Sequence, residues 1–113
     1  MERNYSIDSL SELAGSDQDF MKVVAQTFLE EIPVDLKSLM EAIENNNKEL
    51  AYQFAHKMKP NVEMFGIDIL KDIKAIESWT KTTKKNADIE DKSTRVHQIL
   101  TSVFTELKED FDL

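Results

Sequence analysis

Apolar residues along this chain recur at intervals of three and four and nowhere alternate with polar ones, so the pattern predicts helices and no strand. A short first helix over SLSELA is predicted to start at Asp8 or Ser9, with Glu12 completing a capping box, and to stop at Gly15. Ser16 is predicted to open a second helix with Asp19 in its first turn. Its stripe of Phe20, Val23, Val24, Thr27, Phe28 and Ile32 resumes in phase after Pro33 as Leu36, Leu39, Met40 and Ile43, which predicts one long helix kinked at the proline. Asn45, Asn46 and Asn47 read as a turn, with Asn47 capping a third helix that carries Leu50, Phe54, Met58, Asn61, Val62 and Phe65 and ends at Gly66. Ile69, Leu70, Ile73, Ile76 and Trp79 mark a fourth. After the polar turn TKTTKKN, Asp88 and Asp91 suit the start of a fifth, with Val96, Ile99, Leu100, Val103, Phe104 and Leu107 as its stripe. Four long amphipathic helices with short loops predict an all-α fold. The expected arrangement is an antiparallel four-helix bundle with a short additional N-terminal helix, as one domain over residues 1–113.

The third helix holds the informative position. Successive residues turn by about 100° around a helix axis. With Phe54 at zero, Leu50, Met58, Asn61 and Phe65 fall within about 40° of it, while Lys59, Tyr52, Glu63 and His56 fall at about 140°, 160°, 180° and 200°. His56 is thus expected in mid-helix on the solvent face. Lys59, three residues on, is a neighbour on its own side, able to reach a group carried on the imidazole.

Composition narrows the chemistry. The chain has 113 residues, 14 Lys and Arg against 22 Asp and Glu, and a net charge of −8. That acid excess argues against a nucleic-acid or anionic-membrane ligand, since phosphate contacts need clustered basic residues. No cysteine is present, which removes thiol nucleophiles, disulfides and cysteine-based metal sites. Two histidines make no metal cage, and two glycines, Gly15 and Gly66, form no phosphate-cradling loop. No segment reads as a signal peptide or a membrane span, so a cytoplasmic location is expected.

The segment AHKMKPNVEMFG, set among these helices, resembles the histidine phosphotransfer (HPt) domain of bacterial two-component phosphorelays. The matching residues are His56, Lys59 three positions on, and Gly66 ten positions on. The opening IDSLSELAGSDQDFMKVVAQTF and the stretch KAIESW, which contains Glu77, resemble the corresponding parts of the family, so the likeness runs the length of the chain. Pro60 and Asn61 depart from the family, which usually has Gly and then small residues after the Lys. A proline there deprives the carbonyl of His56 of its helical partner.

The resemblance implies a phosphohistidine carrier and not a nucleotide-using enzyme. His56 would accept a phosphoryl group on Nε2 from a receiver-domain aspartate and pass it to another receiver. Lys59 would offset charge on the phosphoryl oxygens. Response-regulator receiver domains and a hybrid sensor histidine kinase are the implied partners of a monomer, with no cofactor or metal on this chain and Mg²⁺ on the receiver. The receiver is expected to dock around His56, over Tyr52, Gln53, Lys57, Pro60, Glu63 and Gly66, with Phe65 and Ile67 as further apolar candidates.

Three alternatives are weighed against this. A scaffold bundle that binds a partner without phosphorylation would keep His56 as a relic, and Pro60 is the residue that favours it. An enzyme using His56 as a base needs a second group, and the same-face carboxylates Glu49 and Glu63 lie two helical turns away. A sensor-kinase dimerisation domain would need an ATP-binding neighbour, for which 113 residues leave no room. His97, Trp79 and the acid pairs Glu30–Glu31 and Glu109–Asp110 are read as surface, packing and solvated faces respectively.

Overall fold

Turn chemistry sets where the first three helices begin. In the computed structural model, which describes residues 3–113, α1 spans Ile7–Ala14. Met1 and Glu2, part of the expected domain, lie outside the described residues. Ser6, not Asp8 or Ser9, caps α1, its hydroxyl accepting from the Ser9 amide at 3.1 Å. Gly15 stops α1 in the left-handed conformation, φ 63°, and Ser16 follows it there at φ 64°. That conformation takes Ser16 out of the capping position, and the Asp17 carboxylate caps α2 instead, accepting from the amides of Asp19 and Phe20.

Helix α2 runs unbroken over Gln18–Glu44 with Pro33 inside it. Asn46 at φ 55° makes the next turn, and Asn47 caps α3, Lys48–Met64, by accepting from the Leu50 amide. Helix α3 continues through Pro60, as its stripe predicts. Helix α4, Leu70–Trp79, matches its stripe of Ile69 to Trp79 and, at ten residues, is the shortest of the four. A 3-10 turn over Asn86–Ile89 then leads into α5, Glu90–Asp110. The described residues are all helix, turn or loop, with no strand.

Helix α2 packs on α3 and α5, and α4 packs on the same two; α1 lies against α2 and α3. The core gathers around Phe28 and Phe65, whose ring centroids are 4.3 Å apart, with Phe104 at 6.0 Å from Phe28. Ile73, Ile76, Leu100 and Leu107 are fully buried beside them.

Two expected stripes hold in their later turns, where Phe28, Ile32, Leu36, Leu39 and Ile43, and Met58, Val62 and Phe65, are buried, but shift in their first turns. On α2 the core face is Met21, Ala25, Phe28 and Ile32, while Phe20 and Val23 are 50% and 59% exposed. On α3 it is Ala51, Ala55, Met58 and Val62, while Leu50 is exposed and Phe54 half-buried. In both, the buried face of the first turns runs through alanine, Ala25 on α2 and Ala51 and Ala55 on α3, beside larger apolar residues.

The N-terminal segment is tied across one end. The amide and side chain of Asn4 donate to the two Glu106 oxygens at 2.7 and 2.6 Å. The Tyr5 hydroxyl donates to Asp110, and Arg3 pairs with Asp110 at 2.6 Å and with Glu109 at 3.5 Å. Asp110 therefore takes part in a clamp, while Glu109, its side chain 60% exposed, stays largely on a solvated face as expected. The Ser6 amide donates to the Phe65 carbonyl at 2.7 Å, joining α1 to the end of α3.

Candidate functional site

Moving the core face of α3 onto Ala51, Ala55, Met58 and Val62 puts its centre about 70° from Phe54. His56 still lies well outside it, about 130° away, and its side chain is 60% exposed. Lys59 comes to about 70°, the flank of the seam. Its side chain is accordingly only 24% exposed, which corrects the fully solvated position expected for it.

What covers Lys59 is α4. Glu77 follows Ile73 by four residues and Ile76 by one, so it shares their inward face and is buried, its side chain 11% exposed. Its Oε1 accepts from Lys59 Nζ and its Oε2 faces His56 Nδ1, both at 3.0 Å. Burial pushes the Glu77 carboxyl up, but the hydrogen bonds from Lys59 and His56 and the positive charge they bring outweigh it and hold the group below the ordinary carboxylate value. An ionised carboxylate only accepts, so the Nδ1 nitrogen must carry the proton. In the neutral imidazole that leaves the lone pair on Nε2, which has no hydrogen-bond partner among the described residues.

Tyr52, one turn before His56, lies parallel to it, with centroids 5.6 Å apart and an interplanar angle of 10°. Lys81 Nζ sits 5.8 Å from the Tyr52 centroid. The imidazole is thus oriented on one side by a carboxylate and on a face by an aromatic ring.

The other sequence candidates distribute around this centre. Gln53, Pro60 and Glu63 are exposed on α3. Lys57 turns towards α2, where it pairs with the buried Asp35 at 3.0 Å. Gly66 forms the turn after α3 at φ 60°, and a Cβ on it would stand 2.7 Å from that of Ser6, so its glycine serves the packing of α1. Phe65 and Ile67 are core. His97 is exposed on α5 in a groove with Lys37, Glu41 and Glu44. Trp79 packs as expected, with Nε1 donating to the Lys85 carbonyl at 3.0 Å and Lys48 Nζ 4.7 Å from its ring. Among the described residues no group of three or more His, Asp or Glu could hold a metal ion, and no helix is long and apolar enough to cross a membrane.

Two surface features involve α3, and the first contains the imidazole. A shallow basin between α3 and α4 is lined by Tyr52, His56, Lys59, Lys74, Glu77, Ser78 and Lys81. Further along α3, an apolar groove runs between Leu13 of α1, Phe20, Val23 and Val24 of α2, and Met64. Comparison of the chain with protein-family models, curated proteins and solved structures finds no match.

Proposed function

We propose that this chain is a histidine phosphotransfer protein whose α2–α5 form an antiparallel four-helix bundle and whose His56 carries a phosphoryl group between receiver domains. The observation that carries the reading is the pairing of His56 Nδ1 with the Glu77 carboxylate at 3.0 Å on an otherwise exposed ring. A carrier needs a nitrogen nucleophile that faces solvent and is held in one tautomer; the exposed ring gives the first, and the Glu77 contact favours the Nδ1–H tautomer, which in the neutral imidazole leaves the Nε2 lone pair for attack.

In the transfer, the Nε2 lone pair attacks phosphorus of the receiver's aspartyl phosphate. The N–P bond forms as the acyl P–O bond breaks, and the aspartate leaves as a carboxylate. The imidazolium so formed keeps its Nδ1 proton, and its positive charge is balanced by Glu77. Mg²⁺ would come with the receiver. Lys59, already paired with Glu77, would share its remaining donors with the phosphoryl oxygens. The apolar groove of Leu13, Phe20, Val23 and Met64 offers the receiver contact area on the same side of α3 as Pro60. On this reading the receiver docks over α1, α2 and the end of α3, beside His56.

The test is to incubate the protein with a ³²P-labelled phosphorylated receiver and follow acid-labile, alkali-stable label. Label on the wild type and on His97→Gln, and none on His56→Gln, is the expected result. A folded wild type that takes no label from any receiver tried leaves the scaffold reading.

A further inference from the structure

The two histidines of this chain sit in opposite electrostatic settings. The basin at His56 has three ammonium groups, Lys59, Lys74 and Lys81, against one carboxylate, Glu77. The groove at His97 has one ammonium, Lys37, against two carboxylates, Glu41 and Glu44. Both rings are exposed, so access does not separate them. In a protein of net charge −8, a local excess of positive charge around one imidazole is a feature of placement rather than of composition.

The lysines of the basin are not equivalent. Lys59 is engaged by Glu77. Lys74 and Lys81 make no ion pair among the described residues. With Ser78 between them they recur at intervals of four and three residues along α4 and just past its C-cap at Thr80, so they line one face of that segment, and both border the basin that His56 enters from α3. Their exposed side chains are long enough to turn their ammonium groups towards an anion there.

We propose that Lys74 and Lys81, with Lys59, seat the oxygens of a phosphoryl group brought to Nε2 of His56, and that this seat lets His56 take the group directly from a small N-phosphoryl donor without a protein partner. The inference rests on the reading of His56 as a phospho-acceptor and extends it to a class of small substrate. With phosphoramidate the balance is simple. Its nitrogen is already protonated at neutral pH. The Nε2 lone pair forms the new N–P bond while the donor's P–N bond breaks, and the electron pair of that bond leaves with ammonia. The imidazolium retains Nδ1–H towards Glu77. Catalysis of such a step is positioning and charge compensation, which two free ammonium groups provide for a dianion.

The experiment treats the whole chain with phosphoramidate and measures phosphorylation of His56 and of His97 separately, by ³¹P NMR and peptide mass spectrometry kept at alkaline pH. His56 is expected to be labelled about tenfold faster than His97, in line with local focusing of an anion by clustered charge. The Lys74→Ala/Lys81→Ala double variant should bring the two rates close together. A Lys22→Ala/Lys92→Ala pair, with the same change in net charge at other exposed positions, should leave the preference intact. About 0.5 M salt should erode it in the wild type. Equal labelling of the two histidines, or a preference untouched by Lys74→Ala/Lys81→Ala, overturns the seat. If that variant keeps the preference and a phosphorylated receiver still labels His56, the seat falls and the carrier reading stands. If phosphoramidate labels His56 through the two lysines but no receiver does, the seat stands and the carrier reading falls.

Discussion

Glu77 and His56, 21 residues apart in the chain, meet across the α3–α4 seam with Oε2 3.0 Å from Nδ1. The second carboxylate oxygen holds Lys59 at the same distance. One buried acid therefore fixes both the tautomer of the exposed imidazole and the place of its nearest cation. Glu77→Gln keeps an acceptor for only one of these partners, because its amide nitrogen donates. Receiver transfer should slow by about tenfold, some 1.4 kcal/mol in the barrier. Nitrogen-15 shifts of the imidazole should show the proton no longer confined to Nδ1. Unchanged shifts and unchanged rate would mean that Glu77 serves packing alone.

Lys59 should matter to stability as well as to transfer. Lys59→Ala leaves the buried Oε1 of Glu77 without a partner, and an unsatisfied buried polar group costs about 1–3 kcal/mol. His56→Gln, at an exposed position, should cost no more than about 0.5 kcal/mol. Urea denaturation of the single variants and of Lys59→Ala/Glu77→Ala measures the difference, and the double variant should lose less than the sum of the two singles.

Much of the fold is legible along the chain, and the exceptions share a cause. Gly15, Asn47 and Gly66 mark their turns because left-handed or capping conformations demand those residue types. The stripes of α4 and α5 are legible because Ile, Leu and Val fill them. In the first turns of α2 and α3 the buried face runs through alanines, Ala25, Ala51 and Ala55, which carry little hydrophobic signal, so Phe20, Val23 and Leu50 draw the eye to the wrong face there. His56 survives that rotation because it lies far from either candidate seam, whereas Lys59 does not. The partnership with Glu77 depends on contact between helices, yet it leaves one trace in sequence, a glutamate in phase with Ile73. Asp35 with Lys57, Asp72 with Arg95 and Glu106 with Asn4 are likewise buried acids whose partners only the tertiary structure supplies.

Acid should weaken the protein partly through Glu77. Its folded-state carboxyl is held below the ordinary value, so the contribution is fully present above the unfolded reference of about 4.3 and is lost as pH falls through the folded value. Wild type and Glu77→Gln should therefore differ in stability at pH 7 and converge only as the pH falls through the folded-state value of Glu77, which lies below the unfolded reference. Urea midpoints taken across that range check this, and a gap that stays constant with pH would assign the stability of the wild type to something other than the ionised carboxylate.

The two glycines have different reasons for being glycine. Both have positive φ, which costs a Cβ-bearing residue about 1–2 kcal/mol. At Gly15 a Cβ would meet nothing within 4 Å, whereas at Gly66 it would lie 2.7 Å from Ser6 Cβ. Gly66→Ala should be clearly more destabilising than Gly15→Ala, and should also expose the α1 amides to hydrogen exchange. Equal losses would show that α1 shifts freely on the end of α3.

Pro60 stands inside α3, where its missing N–H leaves the His56 carbonyl without the partner that an i→i−4 bond would give. Alanine restores that N–H. A proline in a helix interior is about 3 kcal/mol less favourable than alanine, and its restriction of the unfolded chain returns roughly 0.4–1 kcal/mol of that. Pro60→Ala should thus raise stability by about 2 kcal/mol, seen as a higher urea midpoint with unchanged slope. The pyrrolidine ring also borders a groove with Ser9, Glu12, Leu13, Glu63 and Met64, on the side where a receiver would approach. A surface shaped around that ring should lose contact when it is removed, so transfer from the native receiver should not accelerate although the fold is firmer. Phosphoramidate labelling of His56, which needs no docking, should be unchanged. A variant that is both more stable and markedly faster with its native receiver would show that Pro60 impedes the relay, and would favour an adaptor whose phosphorylation site is decaying.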